Sequence, residues 1–216
     1  METLAQPLTE IKVILFSLQH HALQVLVHAH DSQSFVSFPS RAIQSDLSLE
    51  ESAQSCLKLF LPAEEIYLEQ LYTYSDSKTR QRQHLISIVY FALLPNNKID
   101  LASEQVAWMQ VHEQRHFNDA EKEMLEYALR RLRYKLEYTA VGFELLPETF
   151  SLTDLQRTYE IILDEALDKR NFRRRILQAN IIEPTHYQKK GEGRPATLYQ
   201  YRSDAVAEIK TRRLFP

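Results

Sequence analysis

Residues 168–178 read Asp-Lys-Arg-Asn-Phe-Arg-Arg-Arg-Ile-Leu-Gln. Arginine can donate two parallel N–H bonds to guanine, and asparagine or glutamine can pair in the same way with adenine. Placed on a helix with Phe172 at 0°, Ile176 falls near 40° and Ala179 near 340°, forming one apolar edge. Arg170, Arg174, Gln178 and Asn171 then fall at roughly 160°, 200°, 240° and 260°, on the opposite side. Such a helix suits a DNA major groove, with Arg170, Asn171, Arg174 and Gln178 reading bases and Lys169, Arg173 and Arg175 holding phosphates. A solvated basic helix is the competing reading.

A second basic group follows at Lys189-Lys-Gly-Glu-Gly-Arg194-Pro195. Glycines at a hairpin tip permit close backbone approach, and Lys189, Lys190 and Arg194 could reach phosphates or a minor groove. An ordinary solvated turn is the plainer alternative.

These residues need elements to present them. Ser151 and Asp154 have the spacing of a capping box opening a helix over 152–163, lined by Leu155, Tyr159 and Ile162. Asp164–Asp168 reads as a turn, with Asp168 the N-cap of the basic helix. Ile181-Ile-Glu-Pro reads as a short strand, residues 185–195 as a polar loop, and 196–201 as an alternating return strand. Helix, turn, basic helix and a two-stranded wing together predict a winged helix-turn-helix.

The charge distribution agrees with this. Residues 169–216 hold twelve Lys and Arg against four Asp and Glu, a net +8, while the rest of the chain is at −11 within an overall −3. One end is suited to a polyanion and the other is not. The single cysteine, Cys56, excludes an intramolecular disulfide and a cysteine-rich zinc site. Three glycines leave no Walker or dinucleotide fingerprint. His20, His21, His28 and His30 lie in or beside a predicted hairpin, but adjacent histidines in a turn point apart, and no metal site is expected. No signal peptide or membrane span is read, and the cytoplasm is the expected compartment.

Upstream, 11–18 and 23–29 read as paired strands, and 35–41 as a short extended segment. Ser48 and Glu51 form another capping box, opening a helix whose apolar face is Leu49, Ala53, Cys56, Leu57 and Phe60, with Pro62 as its stop. Strands at 66–74, 84–94 and 107–111 follow. This order resembles the Nudix α/β/α sandwich, on Phe38-Pro39-Ser40-Arg41 where Nudix proteins have Leu-Pro-Gly-Gly, and on Leu49-Glu-Glu-Ser-Ala at the helix start. In that register Arg41 replaces a glycine and Leu47 the first glutamate. Ser55 and Cys56 replace Arg-Glu, Leu59 and Phe60 the paired glutamates, and Pro62 the last glycine. The carboxylates that would hold Mg2+ and activate water are gone. No catalytic residue, metal or cofactor is therefore expected.

A helix over 119–138 has Leu125, Leu129, Leu132 and Leu136 in one stripe. That stripe could cover its own core or contribute to a dimer seam. Residues 131–138 (Arg-Leu-Arg-Tyr-Lys-Leu-Glu-Tyr), 143–147 (Phe-Glu-Leu-Leu-Pro), 155–160 (Leu-Gln-Arg-Thr-Tyr-Glu), 168–174 and 193–199 (Gly-Arg-Pro-Ala-Thr-Leu-Tyr) resemble the Nudix-related transcriptional regulators, a bacterial group controlling NAD metabolism. Residues 71–76 and 86–93 extend the likeness upstream.

The resemblance implies an α+β protein: a Nudix-like α/β/α sandwich over 1–118, a linker and dimer helix over 119–140, and a winged helix-turn-helix over 141–216. It implies a homodimeric repressor binding a palindromic operator and sensing ADP-ribose or a related nucleotide, although some members serve sugar catabolism. Arg41, Arg80, Arg82 and His84 are the candidate effector contacts, the last three in the place of a cationic loop of the family; a plain surface loop is the other reading of that segment. A pyrophosphohydrolase with rewired metal ligands, and a DNA binder without an effector, are the other functional readings.

Overall fold

The computed structural model describes residues 7–29, 36–61, 66–76, 84–98, 101, 103–189, 195–202 and 204–205. It divides into two compact units, the first of Met1–Ser17, Gln24–Leu94 and Lys98–Ala128 and the second of Leu18–Leu23, Pro95–Asn97 and Leu129–Pro216, so that one long helix is shared between them.

The first unit is built on β1 (Leu8–Gln19), whose residues from Ile11 to Leu18 are all buried. Burial on both faces explains why this strand reads as a continuous apolar run instead of an alternation. The sheet order is β3-β2-β1-β6-β5, with β2 (Ala22–Ala29), β3 (Val36–Ser37), β5 (Tyr67–Asp76) and β6 (Leu85–Leu94). β4 (Ser40–Ala42) pairs with β1, and β7 (Val106–Gln110) with β2. β1 and β6 run parallel, Ile11 opposite Ile88. The segment expected as one extended piece at 35–41 is two short strands with different partners, because Pro39 interrupts it. The turn at His20 and His21 has both residues in the left-handed region, the geometry of a tight two-residue hairpin.

Ile11, Val13 and Leu15 face α1 (Leu49–Lys58), whose Ala53, Cys56 and Leu57 join the same core with Phe60 just beyond the helix. Ser48 and Glu51 make both bonds of the expected capping box. Leu49 departs from the reading: it is exposed, one turn too early to reach the core.

The opposite face of β1 meets the start of α2 (Asp119–Tyr138). Lys12 Nζ lies 2.6 Å from Glu121 Oε1 and 3.6 Å from Glu10. Burial would lower the Lys12 pKa, but Glu121 and Glu10 outweigh it and raise it. Glu121 also accepts the Phe38 N–H, and its own N–H donates to Asn118 Oδ1, the helix cap. One face of the sheet is thus covered by α1 and the other by α2, the Nudix α/β/α arrangement.

Leu125, Leu129, Leu132 and Leu136 are buried within the single chain. The stripe therefore covers its own core and is not available as a dimer seam.

In the second unit, α2 is followed by a short 3-10 turn over Val141–Leu145, then β8 (Thr149–Ser151), α3 (Leu152–Leu163), α4 (Lys169–Gln178), β9 (Ile182–Lys189) and β10 (Ala196–Tyr201). The wing sheet has the order β8-β10-β9. Two features differ from the sequence reading. Thr149–Ser151, read only as a helix break, is a third strand, and Thr185–Lys189, read as loop, continues β9. Both are held by backbone pairing to β10; β9 is largely exposed and β8 is only three residues long, so neither carries a readable apolar pattern. Phe143 packs against Phe150 and Tyr201, tying this sheet to the 3-10 turn. Among the described residues no helix is long and apolar enough to cross a membrane.

Candidate nucleic-acid interface

The α3–α4 turn is built by side chains that look unremarkable in sequence. Asp164 ends α3 in the left-handed conformation, its N–H donating to the Glu160 carbonyl. Gln156 Nε2 donates to Glu160 Oε1 and to the Leu167 carbonyl, and Glu160 Oε1 also accepts the Leu167 N–H. These bonds satisfy the backbone at the corner and set the angle at which α4 leaves. Asp168 then caps α4, accepting the Asn171 N–H at 2.8 Å.

α4 is pinned by Phe172 and Ile176, at 2% and 0% exposure. The Phe172 ring meets Tyr159 edge-on, at 5.5 Å between centroids. Lys169, Arg170, Asn171, Arg174 and Gln178 are exposed on the remaining surface, while Arg173 and Arg175 are half-buried. The structure thus brings the four proposed base readers onto one solvent face. Arg174 Nη2 donates to Asn171 Oδ1 at 3.1 Å, which aligns the two as a pair. Arg173 turns back instead, donating to Thr153 Oγ1 at the start of α3.

Lys189, the last residue of β9, is not a free cation. Its ammonium lies 3.0 and 3.1 Å from the two carboxylate oxygens of Asp154. Sequence reading missed this partner because the two residues belong to different motifs. Lys190 and Arg194 lie outside the described residues, as do Arg80 and Arg82.

The other two expected effector contacts bond to different partners. His84 sits just before β6, its ring 2.5 Å from Ser75 Oγ on β5. Arg41 is on β4 opposite Ile11, and its Nη1 donates to Ser55 Oγ on α1 at 3.1 Å. The structure does not join them in one contact. Beside Arg41, burial pushes the Cys56 thiol up to about 12, against a smaller opposing pull from Arg41 itself. Among the described residues no group of three or more His, Cys, Asp or Glu could hold a metal ion.

Residues 142–201 match the NrtR DNA-binding winged helix domain. The chain is 30% identical over 207 residues to the ADPR responsive transcriptional repressor NtrR of Acinetobacter baylyi, covering 90% of this chain and 82% of that protein. The chain belongs to the NrtR family. A crystal structure of Shewanella oneidensis NrtR complexed with a 27mer DNA superposes with a TM-score of 0.84 at 26% identity, over 96% of this chain and 99% of that one. The Nudix domain of the same NrtR, complexed with ADP ribose, matches 61% of this chain and 92% of its own, with a TM-score of 0.50 and 22% identity, a likeness of fold. As an NrtR-family member the chain is an α+β protein that joins a Nudix-like unit to a winged helix, and α4 is the second helix of that winged helix.

Proposed function

We propose that the chain is a transcriptional repressor of NAD or nucleotide metabolism, released from DNA by ADP-ribose or a related nucleotide. The observation that carries this is the solvent face of α4. Arg170, Asn171, Arg174 and Gln178 stand together on a helix locked by Phe172 and Ile176, inside the segment that matches the NrtR winged helix domain. Arg170, Asn171, Arg174 and Gln178 read base edges. Lys169, Arg173 and Arg175, with Lys190 and Arg194 of the wing, hold phosphates. Lys189 joins them only by sharing its ammonium with Asp154.

Residues 1–118 form the effector domain, 119–140 the linker and 141–216 the DNA-binding domain. Two copies act as a homodimer on a palindromic operator in the cytoplasm, half-site spacing setting the geometry that the effector alters. Hydrolysis is not part of the activity. The Nudix carboxylates are replaced at Leu47, Cys56, Leu59 and Phe60, and the soft, buried thiol of Cys56 is a poor match for the hard magnesium ion.

The test is a DNA titration with purified protein and its operator, followed by addition of ADP-ribose. Release of DNA with ADP-ribose intact supports the reading, and metal-dependent cleavage of ADP-ribose would replace it with the hydrolase. A protein that holds its operator whatever nucleotide is added would be a DNA binder of another kind.

A further inference from the structure

Among the described residues the Nudix-like unit shows no cluster of donors for a divalent cation, yet it places a cation of its own beside α1. Magnesium requires hard oxygen ligands, usually carboxylates. On the α1 face the corresponding residues are Ser55, the buried Cys56, exposed Leu59 and buried Phe60. Glu10, the acidic residue on the adjoining stretch of β1, is engaged elsewhere: it accepts a 2.7 Å bond from Ser87 and pairs with Lys12. The residues present do not fit the metal.

Arg41 stands in contrast. It is half-buried, held on β4 by pairing to β1, and its guanidinium rests on a neutral hydroxyl, Ser55 Oγ, itself fixed by donating to the Ser52 carbonyl. Among the described residues Arg41 forms no ion pair. A guanidinium has five N–H donors in a planar fork suited to phosphate oxygens, and one bond to a serine leaves most of them unused. Charge partly withdrawn from water, with no ion pair among the described residues, favours an anionic ligand.

We propose that Arg41 replaces the metal ion, so that this unit binds the diphosphate of a nucleotide directly and without a divalent cation. The inference rests on the nucleotide-effector reading above. It adds that the effector needs no magnesium and that β4, through Arg41, feels the ligand.

The experiment is calorimetric titration of the full chain with ADP-ribose, in chelator and in magnesium. The wild type should bind equally in both. Arg41→Ala should bind roughly ten- to hundredfold more weakly, the loss expected for a charged hydrogen-bonding group. Arg41→Lys should fall between them, and Ser55→Ala, which removes only the positioning hydroxyl, should weaken binding by a smaller factor. Melting curves confirm that each variant is folded. Binding that requires magnesium, or an Arg41→Ala protein that binds as well as the wild type, would overturn the inference while leaving the effector reading intact. A wild type that does not bind ADP-ribose in either buffer would overturn the effector reading itself, and this inference with it.

Discussion

Lys189 Nζ bridges both carboxylate oxygens of Asp154, joining the last residue of β9 to the first turn of α3. The same carboxylate closes the capping box with Ser151. Burial alone would raise the Asp154 pKa, but the bonds from Lys189 and Ser151 outweigh it and lower it. A depressed carboxyl pKa stabilises the fold above the unfolded value of about 3.9, and the contribution is lost as pH falls through the folded value. Melting curves of wild type and Asp154→Asn should therefore differ at neutral pH and converge in acid. The pair is partly exposed, so Lys189→Ala should cost less than about 1 kcal/mol.

Arg174 and Asn171 are bonded to each other on the exposed side of α4. Arg174→Ala should weaken binding to the operator by about 1–3 kcal/mol, the value of a bidentate base contact, with little change on unrelated DNA. Lys169→Ala should weaken both alike and reduce the salt dependence by about one counterion. Competition titrations over a range of salt separate the two behaviours. Equal loss on specific and random DNA in Arg174→Ala would assign that residue to the phosphates.

Gly142 leaves no room for a methyl group. A Cβ there would lie 2.8 Å from Leu136 Cδ2 and 2.9 Å from Tyr159 Cε2, both buried. Gly142→Ala should lower stability by about 1–3 kcal/mol through overpacking. Tyr159 is also the ring that seats Phe172, so α4 should become more protease-sensitive. Denaturant titration and limited proteolysis read the two effects.

Cys56 should resist alkylation in the native protein. Its folded pKa of about 12 keeps it protonated at pH 8, and it is fully buried. Reaction with iodoacetamide should follow unfolding, not the thiol's intrinsic rate. Because the folded pKa is raised, the associated stabilisation is complete below the unfolded pKa and declines as pH rises above about 8.5.

The local signals were the ones legible in the sequence. Ser48 with Glu51, Ser151 with Asp154, and Asp168 all cap the helices expected of them, because capping depends on residues three apart. The wheel that placed Phe172 and Ile176 inside also placed Arg170, Asn171, Arg174 and Gln178 outside. What could not be read depends on long-range pairing. β8 is three residues overlapping a helix cap, and β9 continues through Thr185–Lys189 with its side chains mostly exposed. The Lys189–Asp154 and Arg41–Ser55 contacts join segments with no shared periodicity, so composition marked their charges but not their partners.

The central claim is that the face of α4 reads a specific operator under effector control. Selection from random duplex DNA, with and without ADP-ribose, tests it most directly. The wild type should enrich one palindromic sequence, Arg174→Ala should lose preference within each half-site, and ADP-ribose should abolish the enrichment. A wild-type protein that retains DNA without enriching any sequence, or whose enrichment is unaffected by changes at Arg170, Asn171 and Arg174, would contradict the account.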